Sequence, residues 1–119
     1  MIYADTDFFI AILKPNDRLK TRAKEIYEKY KNQISTSITT FIELMLLSKR
    51  FNLDPIKIAI AVFTITHFEN SIPLKAAKYI KDGVGVFDAF HAASCNGKII
   101  SSDHIFDKLS IKRIKLDEK

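Results

Sequence analysis

Short apolar segments alternate with longer helical ones along the whole chain, and each of the two clearest strand-like segments stops at an aspartate. Ile2–Ala4 runs into Asp5, and Lys98–Ser102 runs into Asp103. Between them the apolar residues recur at helical spacing, in DFFIAILK, in residues 17–31, in FIELMLLSKR, in 56–67, in 74–81 and in 87–95. Strands separated by helices must be joined by crossovers, which predicts an α/β fold in which helices cover a mostly parallel central sheet.

Local signals set the expected boundaries. Pro15 bars Lys14 from helical geometry, so the first helix ends there. Asp17 reads as the N-cap of an amphipathic helix whose polar face carries Arg18, Lys20, Arg22, Lys24, Lys29 and Lys31. Ile34–Ser37 is expected as a brief strand. Thr40 with Glu43 matches a capping box, and Asp54-Pro55 opens the helix after it. Both helices at residues 40–66 are apolar nearly all round, which requires burial in the core or against another subunit. Residues 70–73 suggest a short strand, Gly83 and Gly97 suggest helix stops, and KRIKL suggests an edge strand guarded by charge.

At 119 residues, 47% of them apolar and with three glycines and three prolines, the chain suits one domain over 1–119 with a packed core. No run is long enough to span a membrane, and the start lacks secretory features, so a cytoplasmic protein is expected. The lone Cys95 excludes an intrachain disulfide and reads as a small buried hydrophobe. A net charge of +5 suits a polyanionic partner.

Four carboxylates, Asp5, Glu43, Asp88 and Asp103, fall inside or beside the most apolar stretches. Each alone has a structural explanation as a cap or a first-turn acid. Together they admit another: ligands collect at the carboxyl ends of strands in open α/β sheets, where Asp5 and Asp103 fall, and Glu43 and Asp88 are expected in the first turns of their helices. Four acids on one edge would repel unless cations filled the gap. Oxygen donors without a Cys or His pattern favour Mg²⁺ or Mn²⁺, and a basic protein with that chemistry suggests phosphodiester hydrolysis. His91, three residues after Asp88, lies close enough on the helix to reach the acids or a substrate.

The ordered motifs Asp5-Thr6-Asp7, Ser37 to Leu44, Phe87 to Ala93, and Ile99 to Asp103 with Phe106 resemble those of PIN-domain proteins, nearest to the VapC-type toxins of prokaryotic toxin–antitoxin pairs. The resemblance covers essentially the whole chain. It implies a three-layer α/β/α domain and a Mg²⁺- or Mn²⁺-dependent ribonuclease in which Asp5, Glu43, Asp88 and Asp103 hold the metal and position the attacking water. It further implies a cognate antitoxin that inhibits the site, and a homodimer, for which the helices at residues 40–66 are the candidate surface. Ser101 occupies the place of a supporting hydroxyl. Asp7 stands where Asn is commoner, and Ile105 where many relatives carry another acid. Two other readings compete: a PIN-like scaffold that binds RNA or protein without cleaving, and a haloacid-dehalogenase-like phosphatase built on Asp5-Thr6-Asp7, whose downstream acids and lysine segment are not found.

Overall fold

The computed structural model describes residues 1–116. Its elements are β1 (Ile2–Tyr3), α1 (Thr6–Leu13), α2 (Lys20–Lys29), β2 (Ile34–Ser35), α3 (Ile38–Ser48), α4 (Pro55–Thr66), α5 (Ile72–Lys81), α6 (Val86–Ser94), β3 (Lys98–Ser101), α7 (Ile105–Lys108) and β4 (Lys112–Lys115).

Strand pairing is parallel throughout the described residues, as the alternation implies. It is distributed over two two-stranded sheets rather than gathered into one: β1 pairs with β2 with Ile2 opposite Ile34, and β3 pairs with β4 with Ile99 opposite Arg113. Each pair is closed by its own crossover, α1–α2 for the first and α7 for the second, so both form between segments near in sequence. The molecule is correspondingly long, 57 × 28 × 17 Å.

The main core lies among the helices. Phe9 of α1, Phe41, Leu44 and Met45 of α3, and Ile58 and Val62 of α4 are essentially inaccessible, and α5 and α6 add Ala76, Ala77 and Ala89 where backbones meet. Phe41, Phe63 and Phe68 form an aromatic triangle with centroids 5.0 to 6.1 Å apart. Burying each large apolar side chain is worth about 1.5–3 kcal/mol, so this group dominates stability. A second, smaller core of Ala92, Phe106 and Ile111 joins α6 to the β3–α7–β4 unit.

Several local expectations are corrected. Asp17 accepts from the Leu19 amide at 2.8 Å in a turn, and the helix begins three residues later, at Lys20, without a side-chain cap. Helix α3 starts at Ile38 after an extended Ser37, so Thr40 is buried inside the helix and Glu43 lies in its second turn; no capping box forms. Residues 70–73 make no strand. Asn70 instead accepts from the Ile72 amide and Pro73 sits in the first turn of α5, where its missing N–H costs nothing. Cys95 is half-buried, its thiol directed at the Ala92 carbonyl at 3.4 Å. Other signals match their elements: Asp54 caps α4 by accepting from the Ile56 amide, and Gly83 and Gly97 take the positive φ values of 100° and 84° that follow α5 and α6. No described helix is long and apolar enough to cross a membrane.

Candidate functional site

The candidate acids fall in two groups, each with one acid just past a strand and one on a helix. Asp5 follows the end of β1 after Ala4 and caps α1, its Oδ1 accepting from the Thr6 amide at 2.6 Å. A carboxylate there is favoured by the exposed amides and dipole of the helix start. The buried Thr6 turns its hydroxyl to Glu43 of α3 and donates to Oε1 at 3.0 Å. One threonine therefore links the Asp5 turn to Glu43, 37 positions further along the sequence from Thr6. Beside them the Tyr3 phenol and the Ser37 hydroxyl lie 2.7 Å apart. That hydrogen bond, with help from Thr40 and against opposition from Asp5, holds the phenol below the ordinary tyrosine range.

Asp88 and Asp103 form the second group. They line one depression of about 290 Å³ with His91, Ile99, Ile100, Ser101 and Phe106. Asp88 stands in the first turn of α6 and accepts no protein hydrogen bond among the described residues. Asp103 is fixed by its surroundings: its amide donates to Ser101 Oγ at 2.9 Å and its Oδ1 accepts from the Ile105 amide at 3.0 Å. His91 is exposed at the rim of the same depression.

Among the described residues no three acids, histidines or cysteines gather around a single point, so the four candidates stand as two pairs rather than one cluster. Asp7 belongs to neither. It is exposed and borders a groove between α1 and α2 with Phe8, Leu19 and Arg22. In kind, the donors suit a hard divalent cation: all are carboxylates, and the hydrogen bonds of Asp5, Glu43 and Asp103 use one oxygen of each. In placement, one ion shared by all four requires the pairs to approach.

Two features of this region escape the sequence reading. Thr6 is one, visible in the motif only as the middle of Asp5-Thr6-Asp7. The other is Arg113 of β4, whose side chain is 1% exposed. Its Nη1 donates to the Ser101 carbonyl at 2.9 Å, Nε donates to Asp107 Oδ1 at 3.1 Å, Nη2 donates to Asp107 Oδ2 at 3.3 Å, and Nη2 also lies 3.2 Å from His104 Nδ1. This clasp holds the segment that carries Asp103. The two-pronged contact keeps the Asp107 carboxyl below its usual range, with His104 adding to the effect. Asp107 is thereby committed to structure.

A family model described as PIN domain matches residues 2–112. No curated protein and no solved structure matches the chain.

Proposed function

Because the chain belongs to the PIN-domain family, a three-layer α/β/α fold whose members are generally metal-requiring nucleases, we propose that it is a Mg²⁺- or Mn²⁺-dependent endoribonuclease acting as the toxin of a toxin–antitoxin pair. The observation that carries this reading is the family match over nearly the whole chain, on which Asp5, Glu43, Asp88 and Asp103 all fall. The family match also removes the haloacid-dehalogenase-like alternative.

In this reading Asp5 and Glu43 would hold a divalent ion from one side and Asp88 and Asp103 from the other, and such an ion, when bound, would supply activation of water and charge neutralisation at the phosphate. The chain's own residues orient the donors. Thr6 holds Glu43 by donating to it, the start of α1 favours the ionised form of Asp5, and Ser101 and the Ile105 amide fix Asp103. His91, at the rim beside Asp88, meets the RNA rather than the ion. Asp7, away in the α1–α2 groove, acts through that groove and not through the metal. The antitoxin is a protein that covers this face, and the exposed Leu46 and Ile60 on α3 and α4 belong to a homodimer surface.

The separation of the acids into two pairs favours the scaffold alternative, in which RNA or protein is bound without cleavage. Purified protein incubated with single-stranded and structured RNAs in Mn²⁺, Mg²⁺ or EDTA decides between them. Cleavage that needs metal and disappears in Asp5→Asn and Asp88→Asn supports the nuclease; RNA binding with no cleavage under any metal supports the scaffold. Growth arrest on expression in a bacterial host, relieved by the product of a neighbouring gene, tests the toxin role separately.

A further inference from the structure

A cavity of about 350 Å³ lies between α5 and the turn from α6 into β3. Its lining includes Lys75, Lys78, Tyr79, Asp82, Ala93 and Asn96. Lys75 and Lys78 are three residues apart on one face of α5, both exposed, and neither ammonium has a protein partner among the described residues. Asp82 is the only carboxylate in the lining, so the balance of charge is positive. Tyr79 is half-buried with its ring against the second core, and Asn96, at φ 53°, adds an exposed amide. Two free cations, a phenol ring and an amide are the groups that grip an unstacked nucleotide: cations for its phosphate, a ring for its base, an amide for the base edge.

The basic face of α2 is the competing surface, and its charges are more fully used. Lys20 donates to the carbonyls of Ile12 and Lys14, Arg22 pairs with Glu25, Lys31 pairs with Glu28, and Lys29 lies over the Tyr30 ring. Position favours the cavity as well. Helix α6 places Asp88 and His91 on one depression and Ala92 and Ala93 on the other, and Ala93 lies about 7.5 Å along the helix axis from Asp88. A strand bound at the acids reaches the cavity within a few nucleotides.

We propose that this cavity is a subsite for a nucleotide of single-stranded RNA, held through its phosphate by Lys75 and Lys78 and through its base by Tyr79, beside the step that is cut. The inference rests on the nuclease reading for its substrate, yet binding tests it apart from cleavage. A fluorescent single-stranded oligoribonucleotide is titrated in EDTA against the full chain, the Lys75→Ala/Lys78→Ala double variant, the Lys75→Arg/Lys78→Arg variant, Tyr79→Leu, and a Lys24→Ala/Lys29→Ala control on α2. The double alanine variant is expected to bind about tenfold more weakly with a salt slope lower by about 0.7, the share of one neutralised phosphate on a single strand. The arginine variant keeps both, Tyr79→Leu costs about tenfold through lost stacking, and the α2 control changes little. Cleavage in Mn²⁺ then shows a raised KM with kcat kept in the double alanine variant. Unchanged affinity and slope in that variant, or no binding of single-stranded RNA by the parent protein, overturns the subsite. Binding that follows this pattern with no cleavage under any metal leaves the subsite standing and fells the nuclease reading.

Discussion

The helical body and the β3–α7–β4 unit are held together by different physics. In the body, α1 and α3 to α6 bury a continuous apolar cluster built on phenylalanine, leucine, isoleucine and alanine. The C-terminal unit has three buried apolar residues, Ala92, Phe106 and Ile111, one of which belongs to α6, and around them a buried arginine that fastens a loop. Apolar burial tolerates small shifts because it has no direction, whereas a guanidinium fork fixes its partners by angle as well as distance. The candidate acids straddle the same line: Asp5, Glu43 and Asp88 stand on helices of the apolar body, and Asp103 stands on the polar clasp, across the depression from Asp88.

The largest test of this contrast is Phe41→Ala, expected to cost about 3–5 kcal/mol of global stability by chemical denaturation. Phe106→Ala acts locally: amides of β3 and β4 exchange faster while those of α3 keep their protection, as measured by hydrogen exchange. Equal loss in both regions would mean that the two cores unfold as one.

Next come the acids. On the proposed nuclease reading, Asp5→Asn and Asp103→Asn are each expected to reduce metal-dependent RNA cleavage by about a hundredfold or more, and their combination to be no worse than either, because groups acting on one ion are not additive. Independent, multiplying losses would show that the body and the C-terminal unit hold separate sites.

Arg113→Met sharpens the comparison from the other side. It removes the clasp while keeping an apolar stem, and is expected to cost about 1–3 kcal/mol, confined to the C-terminal unit, since Asp107 is half-exposed and recovers water. Cleavage falls more than the melting temperature does, because Asp103 loses its anchor.

The smallest effect is with acid. Asp107 has a depressed pKa in the folded chain, so its bond to Arg113 contributes above the ordinary carboxylate range and is lost as pH falls through the lowered value. Asp54, lowered first by its 2.8 Å hydrogen bond from Lys81, behaves alike in the body, at the junction of α4 and α5. Both pairs are partly open to water, so each change is small. Hydrogen exchange in β3 and β4 should quicken as pH falls and Asp107 is protonated, and Arg113→Met should abolish that step while leaving the Asp54 response intact.

Sequence patterns revealed those features whose causes are local. Pro15 ending α1, Asp54-Pro55 starting α4 and the two glycines at positive φ all depend on one or two residues. Thr40 and Glu43 had the spacing of a capping box, yet an extended Ser37 started the helix earlier and turned Thr40 into the core, freeing Glu43 to meet Thr6. Nothing near Glu43 in sequence carries that information. Arg113 reads as one more charge in Lys112-Arg113-Ile114-Lys115, and only the strand alternation, which turns that residue inward, and a partner six positions away make it a buried anchor. The positions of the acids at strand ends were legible for the same reason as the caps; their grouping depends on how distant segments approach, which spacing does not encode.

The elongated outline offers a readout that needs no substrate. A chain of this length packed to ordinary compactness has a radius of gyration of about 13.5 Å, against 16.3 Å here. An outline this extended slows rotational diffusion relative to a rounder chain of equal length, so anisotropy decay in solution reads how the helical body and the C-terminal unit are held together, with no RNA present.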